Sequence, residues 1–254
     1  MRLRQVAMMA EKIEPVAGQL EYVFGLKVAY RDPAVGVFGL ANVLLPAGGE
    51  FIEVLEPIAE DASGARYLKR RGGDAGYMVI LQDDDALAHR ARLEAAGVRV
   101  IARSGNGRYR YTHFHPGDCA GVLLSIDSIE DSDYREPLSD WLAAGEHWRD
   151  FESETALGIT AVTIQHANPK AAAERWSMLL ERPVSHDGDA FQVALENEVI
   201  RFVPPVDADG TGVVGVEIVV SDIFGVKDRA NAVGLLKDDG DILIGGVSFR
   251  PVEG

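Results

Sequence analysis

The sequence has little cysteine and no long apolar run. Cys119 is the single cysteine among 254 residues, which excludes an internal disulfide and is typical of a reducing, cytoplasmic compartment. No apolar stretch approaches the roughly 20 residues that a membrane-spanning helix needs, so we expect no membrane partner. The N-terminal segment MRLRQVAMMAEK has too short an apolar stretch for a signal peptide and is better explained as a first strand.

Basic residues are also in the minority. The chain has 25 Lys and Arg against 40 Asp and Glu, a net charge of −15, so we expect no nucleic-acid partner. One basic cluster, RYLKRR at residues 66–71, has two explanations: a solvated helix end or an anchor for an anionic substrate tail. Dinucleotide and P-loop glycine motifs are absent, and Gly105-Asn106-Gly107 is a predicted hairpin turn.

A repeated pattern of strands and helices is what the sequence does contain. Residues 3–9 alternate like a strand, residues 14–25 have helical spacing, and three strand-like segments, beginning with 26–31, continue to residue 57. The same order of strand, helix and three strands returns between residues 73 and 127. The pattern therefore predicts two βαβββ units at 1–57 and 73–127.

The segment after the second unit is different. It is acidic and contains Pro137, Trp141 and Trp148, and we interpret it as a linker with a short helix whose aromatic residues pack against one of the domains. The repeat then restarts, with EVIRFVPP matching EFIEVLEP and GVSFRPV matching GVLLSID in the same order. We therefore predict an N-terminal domain at 1–130, a linker at 131–157 and a shorter C-terminal domain at 158–254.

Three segments carry a resemblance to a known family. IEVLEP (52–57), YLKRRGG (67–73) and HPGDCAGVLLSI (115–126), within a doubled pair of βαβββ units, are similar to the vicinal oxygen chelate superfamily, and most of all to its methylmalonyl-CoA epimerase-like members. That superfamily includes glyoxalase I, bleomycin-resistance proteins and extradiol dioxygenases. The resemblance implies an α+β fold whose four βαβββ units pair into two open β cups with flanking helices, each cup able to hold a small ligand.

In active members of that superfamily, His, Gln or Glu residues from four strands bind a divalent metal on the cup floor, which polarises a bound carbonyl or activates dioxygen. The matching positions in the N-terminal half are Gln5, Glu53, Gly76 or Tyr77, and Ser125. This set lacks the histidines and the final glutamate, so the usual ligand set is incomplete and the sequence assigns no cofactor. A divalent metal stays open as an alternative, with Gln5 and Glu53 as weak ligand candidates. Glu53 is instead the candidate catalytic residue, as a general base.

Alternation along one strand adds candidates for ligand binding. Tyr109, Tyr111 and His113 are two residues apart and share a face, so we expect them to line the cup. They join the other predicted substrate-binding residues, which are Gln5, Tyr77 and Ser125.

The C-terminal half has arginines at two of the matching positions. Arg201 and Arg250 would repel a metal cation and could form an anion site in the second cup. The alternative is that each arginine pairs with an acidic neighbour such as Glu217 or Glu198, because a buried guanidinium needs a partner.

Three functions remain open from the sequence. The favoured hypothesis is a glyoxalase-like protein that binds a small organic molecule in the N-terminal cup, with a degenerate metal site. The second is an enzyme that uses Glu53, either a metal-dependent lyase or isomerase of the lactoylglutathione lyase or methylmalonyl-CoA epimerase type, or a relative of the dioxygenases. The third is a non-catalytic dimeric scaffold, since the paired-cup architecture often forms homodimers.

Overall fold

The computed structural model describes residues 1–104, 107–208 and 210–254, so the turn predicted at Gly105-Asn106-Gly107 falls mostly outside the described residues. No helix among the described residues is long and apolar enough to cross a membrane. The N-terminal half consists of β1 (Arg2–Met9), α1 (Ile13–Phe24), β2 (Leu40–Ala47), β3 (Glu50–Pro57), α2 (Ser63–Arg71), β4 (Ala75–Gln82), α3 (Ala86–Ala95), β5 (Val100–Arg103), β6 (Tyr109–Phe114) and β7 (Leu123–Ile129).

The C-terminal half follows the same plan. Its elements are β8 (Ala156–Gln165), α4 (Pro169–Leu180), β9 (Val184–Asp187), β10 (Ala190–Ala194), β11 (Val199–Val203), β12 (Gly212–Val220), α5 (Ile223–Ala232), β13 (Ile242–Ile244) and β14 (Val247–Glu253). Short 3-10 helices lie at Pro33–Phe38 and Pro116–Asp118, and two more at Leu142–Ala144 and Trp148–Phe151.

Strand pairing confirms the predicted repeat. The N-terminal order is β2-β3-β1-β4-β7-β6-β5 and the C-terminal order is β9-β10-β11-β8-β12-β14-β13. In both halves the first strand pairs parallel to the last strand of its own unit, and antiparallel to the first strand of the next unit. The fold is therefore α+β, with four units paired into two curled sheets. The second and third units have the βαβββ order, and the first and fourth have one strand fewer among the described residues.

The two curled sheets join into one sheet of 14 strands through β4 and β12. They meet where Gly76 pairs with Val213. A Cβ atom at Gly76 would lie 2.5 Å from the Val213 carbonyl oxygen, so only glycine lets the two strands approach this closely.

One predicted strand is wrong. Residues 26–31 form only an isolated bridge, from Tyr30 to Leu44, and the chain then enters the 3-10 helix at Pro33–Phe38. Pro33 fixes its own φ and lacks an N–H, while the Asp32 carboxylate accepts a hydrogen bond from the Ala34 N–H. Both effects favour a turn over a paired strand.

Alternation along β1 separates two apolar regions. Val6 and Met8 belong to the large core between the sheet and its helices, whereas Ala7 and Met9 belong to a second cluster on the inner face of the N-terminal cup. Gln5 shares the inner face with Ala7 and Met9. The sheet curl therefore presents the polar side chain of Gln5 to the inside of the cup.

The linker segment, residues 131–157, covers that inner face. Trp141 and Trp148 are buried and belong to the inner cluster, with ring centroids 6.5 Å and 4.9 Å from that of Phe51 on β3. The Arg4 guanidinium lies within 5.4–5.6 Å of these three rings and donates to the Ser139 carbonyl at 2.7 Å. This cage attaches the linker to β1.

Candidate functional site

The N-terminal cup encloses a cavity of about 490 Å³. Its walls are mostly aliphatic and aromatic and come from all seven strands of the N-terminal half, the 3-10 helix at Pro33–Phe38 and the linker. This volume lies within the usual range of small-molecule sites. The predicted site residues that line it are Gln5, Glu53, Tyr77, Tyr109, Tyr111 and His113.

Glu53 is the polar centre of the cavity. Its two oxygens accept hydrogen bonds from Gln5 Nε2 at 2.7 Å and from Asn42 Nδ2 at 2.6 Å. Burial raises the pKa of Glu53 to about 7, and the two amide donors oppose that rise. Near neutral pH the carboxyl group is therefore divided between its charged and neutral forms, as a general base requires.

Two further donors fix the amides that hold Glu53. The Trp141 indole N–H donates to Gln5 Oε1 at 2.9 Å, and the backbone N–H of Asp32 donates to Asn42 Oδ1 at 2.8 Å. Neither donor can accept a hydrogen bond in return. Each amide oxygen therefore points away from Glu53 and each NH₂ group points toward it.

This arrangement does not fit a metal ion. A metal bound by Gln5 would need its amide oxygen, which instead accepts a hydrogen bond from the Trp141 indole N–H. Among the described residues, no group of three or more His, Cys, Asp and Glu side chains is placed to hold a metal. We therefore derive no chemistry from a metal in this cup.

An aromatic wall on β6 lines the same cavity as Glu53. On β6, Tyr109 and Tyr111 have ring centroids 5.8 Å apart, and those of Tyr111 and His113 are 4.9 Å apart. Phe38 continues the row on one side, 6.0 Å from His113. Burial lowers the pKa of His113 to about 4, so its imidazole is neutral at pH 7.

Ser125 lies outside this lining. It is fully buried, and its hydroxyl hydrogen-bonds to the Thr112 carbonyl and to Asp127 Oδ1. Asp127 also accepts from the Tyr109 hydroxyl at 2.6 Å, and burial raises the pKa of Asp127 to about 7. Both hydrogen-bond partners of the Ser125 hydroxyl are thus oxygen atoms of the sheet itself. Ser125 therefore helps to hold the Asp127 carboxyl group in place.

Tyr77 closes one side of the cavity. Its ring packs edge-on against Tyr67 of α2, with centroids 4.9 Å apart, and burial raises the pKa of Tyr77.

The basic cluster forms the last turns of α2, with Lys69, Arg70 and Arg71 next to the helix C-terminus. This position favours them electrostatically without any ligand.

Sequence reasoning missed three functional side chains, which are Asn42, Trp141 and Asp127. Asp127 was detectable, because it follows Ser125 by two residues and must share its strand face. Asn42 and Trp141 carried no such signal, since their roles depend on the donors and acceptors they meet in the folded chain.

The second cup holds a more polar cavity of about 790 Å³. Arg201 lies 3.0 Å from Glu217, and Arg250 lies 2.9 Å from Asp241. Both arginines line this cavity together with their acidic partners. The two guanidinium groups are thus already paired within the protein, which weakens their attraction for an anion.

The sequence and the fold match known proteins. A model of the glyoxalase-like domain family matches residues 6–180. The ethylmalonyl-CoA/methylmalonyl-CoA epimerase of Cereibacter sphaeroides is 25% identical over 132 residues, which are 50% of this chain and 98% of that protein. The mitochondrial methylmalonyl-CoA epimerase of Bos taurus is 25% identical over 129 residues, which are 50% of this chain and 73% of that protein.

A solved structure matches the paired architecture. A variant of 4-hydroxymandelate synthase from Streptomyces coelicolor superposes with a TM-score of 0.71 and 16% identity, covering 99% of this chain and 92% of that chain. At this identity the likeness shows the fold alone. Together with the epimerases, it confirms the predicted resemblance to the vicinal oxygen chelate superfamily.

Proposed function

The chain belongs to the glyoxalase-like domain family, and from this premise we propose that its N-terminal cup binds a small organic molecule in contact with Glu53. The observation that carries the proposal is a buried carboxylate, fixed by two amides, inside a cavity of about 490 Å³. A cavity with apolar walls and a few fixed polar groups is the usual design of a small-molecule site.

The cup is open rather than filled by its own side chains, which favours ligand binding over the scaffold hypothesis. The orientation of Gln5 and Asn42 also supports a prepared site, because each amide is held by a second hydrogen bond. A site fixed before the ligand arrives loses less conformational freedom on binding.

Thermal unfolding with a panel of neutral, cationic and anionic aromatic compounds tests this proposal. A compound present at 100 times its Kd stabilises the folded state by about 2.7 kcal/mol, which corresponds to a Tm shift of roughly 5–10 °C for a chain of this size. Ala143→Trp, in the cavity wall, should abolish the shift. Ala171→Trp, at an exposed position of α4, should leave it unchanged.

Two results would contradict the proposal. The first is a panel in which no compound raises the Tm. The second is a Tm shift of equal size in the Ala143→Trp variant, which would place the binding elsewhere.

The pKa of Glu53 favours catalysis as a second candidate function. A carboxylate whose pKa lies at about 7 can take a proton from an acidic C–H group of the bound molecule and return it, so that no other reactant is needed. Deuterium uptake by the bound compound in D₂O, followed by NMR, tests this step. We expect deuterium uptake with the wild type and none with Glu53→Gln. Uptake at the wild-type rate in that variant would refute a role of Glu53 as the base.

A further inference from the structure

The charge of the cavity wall is of one sign. Glu53 and Asp32 line the cavity, and no Lys or Arg is present among the described lining residues. His113, the remaining lining group that could carry positive charge, is neutral at pH 7 because burial lowers its pKa to about 4. The protein as a whole carries a net charge of −15. The surroundings therefore favour a positive ligand over a negative one.

The hydrogen bonds inside the cavity agree with this sign. The NH₂ groups of Gln5 and Asn42, which could hold an anion, already donate to Glu53. The Tyr109 hydroxyl donates to Asp127 at 2.6 Å, so it offers lone pairs rather than a proton to the cavity. An anionic ligand would therefore find these three donors already engaged and would be repelled by Glu53 and Asp32.

The aromatic wall supplies the complementary surface. Strand β6 places Tyr109, Tyr111 and His113 in one row, with neighbouring ring centroids 5.8 Å and 4.9 Å apart. In the order of the curled sheet, β6 is separated from Glu53 on β3 by three strands, so the curl brings the two to one cavity. Ring faces carry partial negative charge and attract organic cations.

Building on the proposed function, we propose that the ligand is a small organic cation, a protonated amine or quaternary ammonium on an apolar or aromatic body. Its charge lies between Glu53 and the face of the wall formed by Tyr109, Tyr111 and His113, and its apolar body lies against the aliphatic walls. Contact with both a carboxylate and ring faces is the combination that selects ammonium groups.

The basic cluster on α2 offers the rival interpretation, an anionic tail held outside the cup. Arg70 lies over the ring of Tyr67, with its guanidinium carbon 5.1 Å from the centroid, and Arg66 donates to the Asp61 carbonyl. Neither arginine lines the cavity. Both arginines therefore have partners within the fold. Tight binding of an anionic compound in the test below would instead support the rival interpretation.

Three compounds of similar size and different charge separate these alternatives: phenethylammonium, 2-phenylethanol and phenylacetate. Isothermal titration calorimetry at pH 8 measures the affinity of each for the full chain. We expect phenethylammonium to bind at least tenfold more tightly than 2-phenylethanol, and phenylacetate to bind more weakly than the alcohol. Glu53→Gln should remove the tenfold preference and leave the affinity for 2-phenylethanol within about threefold.

Two variants control for location and folding. Asp239→Asn removes a carboxylate from the second cup and should leave all three affinities unchanged. Tyr111→Leu removes a ring face without touching Glu53 and should weaken phenethylammonium binding at least fivefold. It keeps the inference testable if Glu53→Gln fails to fold.

The outcomes distinguish this inference from the proposed function. If 2-phenylethanol or phenylacetate binds as tightly as phenethylammonium, the cup still binds small molecules but the inference is overturned. It is also overturned if Asp239→Asn, rather than Glu53→Gln, removes the preference. If none of the three compounds binds while other compounds of the panel do, the preference for an organic cation is wrong and the proposed function stands. If no compound binds at all, both the proposed function and this inference fail.

Discussion

Replacement of Trp141 by Phe removes one hydrogen bond and keeps an aromatic ring in the linker. The indole N–H of Trp141 donates to Gln5 Oε1 at 2.9 Å, between two buried groups. Without this donor, the Gln5 oxygen is buried and unsatisfied, and the amide can also turn its oxygen toward the Glu53 carboxylate. Either result destabilises the folded state.

Trp148→Phe is a matched control for the loss of volume. Both indoles are 1% exposed, and both pack against Phe51 and Arg4. Within the described residues, however, the Trp148 Nε1 has no hydrogen-bond partner. The difference between the two variants therefore isolates the hydrogen bond, and an unsatisfied buried acceptor costs about 1–3 kcal/mol.

Urea unfolding followed by far-UV circular dichroism measures this difference, because that signal depends little on the number of indoles. We expect Trp141→Phe to lower the free energy of unfolding by about 1–3 kcal/mol more than Trp148→Phe, with similar slopes against urea for both. Equal losses in the two variants would refute the reasoning that Trp141 holds Gln5 in place.

Three further outcomes follow from the buried charges. Burial raises the pKa of Glu53 from 4.5 to about 7, so this group lowers the stability by about 3 kcal/mol as pH rises through that window. In urea titrations, Glu53→Gln should reduce the fall in stability between pH 4.5 and 7 by about that amount, and an unchanged fall would contradict this. Tyr109→Phe removes a donor to Asp127 and should lower the free energy of unfolding by about 1–3 kcal/mol at pH 8. The loss should be smaller at pH 5, where Asp127 is protonated, and an equal loss at both pH values would contradict this. Arg4→Met should cost about 1–3 kcal/mol because it leaves the buried carbonyl oxygen of Ser139 without its donor. Arg31→Ala, in an exposed pair with Glu14, should cost less than about 1 kcal/mol, and similar losses in the two variants would argue against the cage around Arg4.

The sequence predicted the parts of the site that depend on local pattern. Gln5 and Glu53 were predicted from the resemblance, as the positions that match metal ligands of the vicinal oxygen chelate superfamily. The row of Tyr109, Tyr111 and His113 follows from the period of a single strand. These residues line one cavity because each strand turns the face that carries them toward the inside of the cup.

Contacts between distant segments were not predictable in the same way. Trp141 and Gln5 are 136 positions apart, and the sequence shows only that Trp141 is a buried anchor, not which acceptor its indole meets. The direction of an amide depends on such a partner, and it decides whether Gln5 offers an oxygen or an NH₂ group to the cup. The sequence therefore left open whether Gln5 and Glu53 bind a metal. The folded chain shows that the two side chains are joined by a hydrogen bond whose direction Trp141 fixes.

The strand predicted at residues 26–31 shows a second limit. Its alternation is genuine, yet Asp32 and Pro33 turn the chain into a 3-10 helix immediately afterwards, and the segment retains one bridge to β2. Local turn chemistry thus overrides the strand pattern there.

A crystal structure of the protein with phenethylammonium would show whether the N-terminal cup binds an organic cation. We expect the compound inside this cup, with its nitrogen about 3 Å from a Glu53 carboxylate oxygen and its charge over the wall formed by Tyr109, Tyr111 and His113. The Gln5 amide should keep its oxygen toward Trp141. A compound bound only in the second cup, or a metal ion between Gln5 and Glu53 with that amide reversed, would contradict the account.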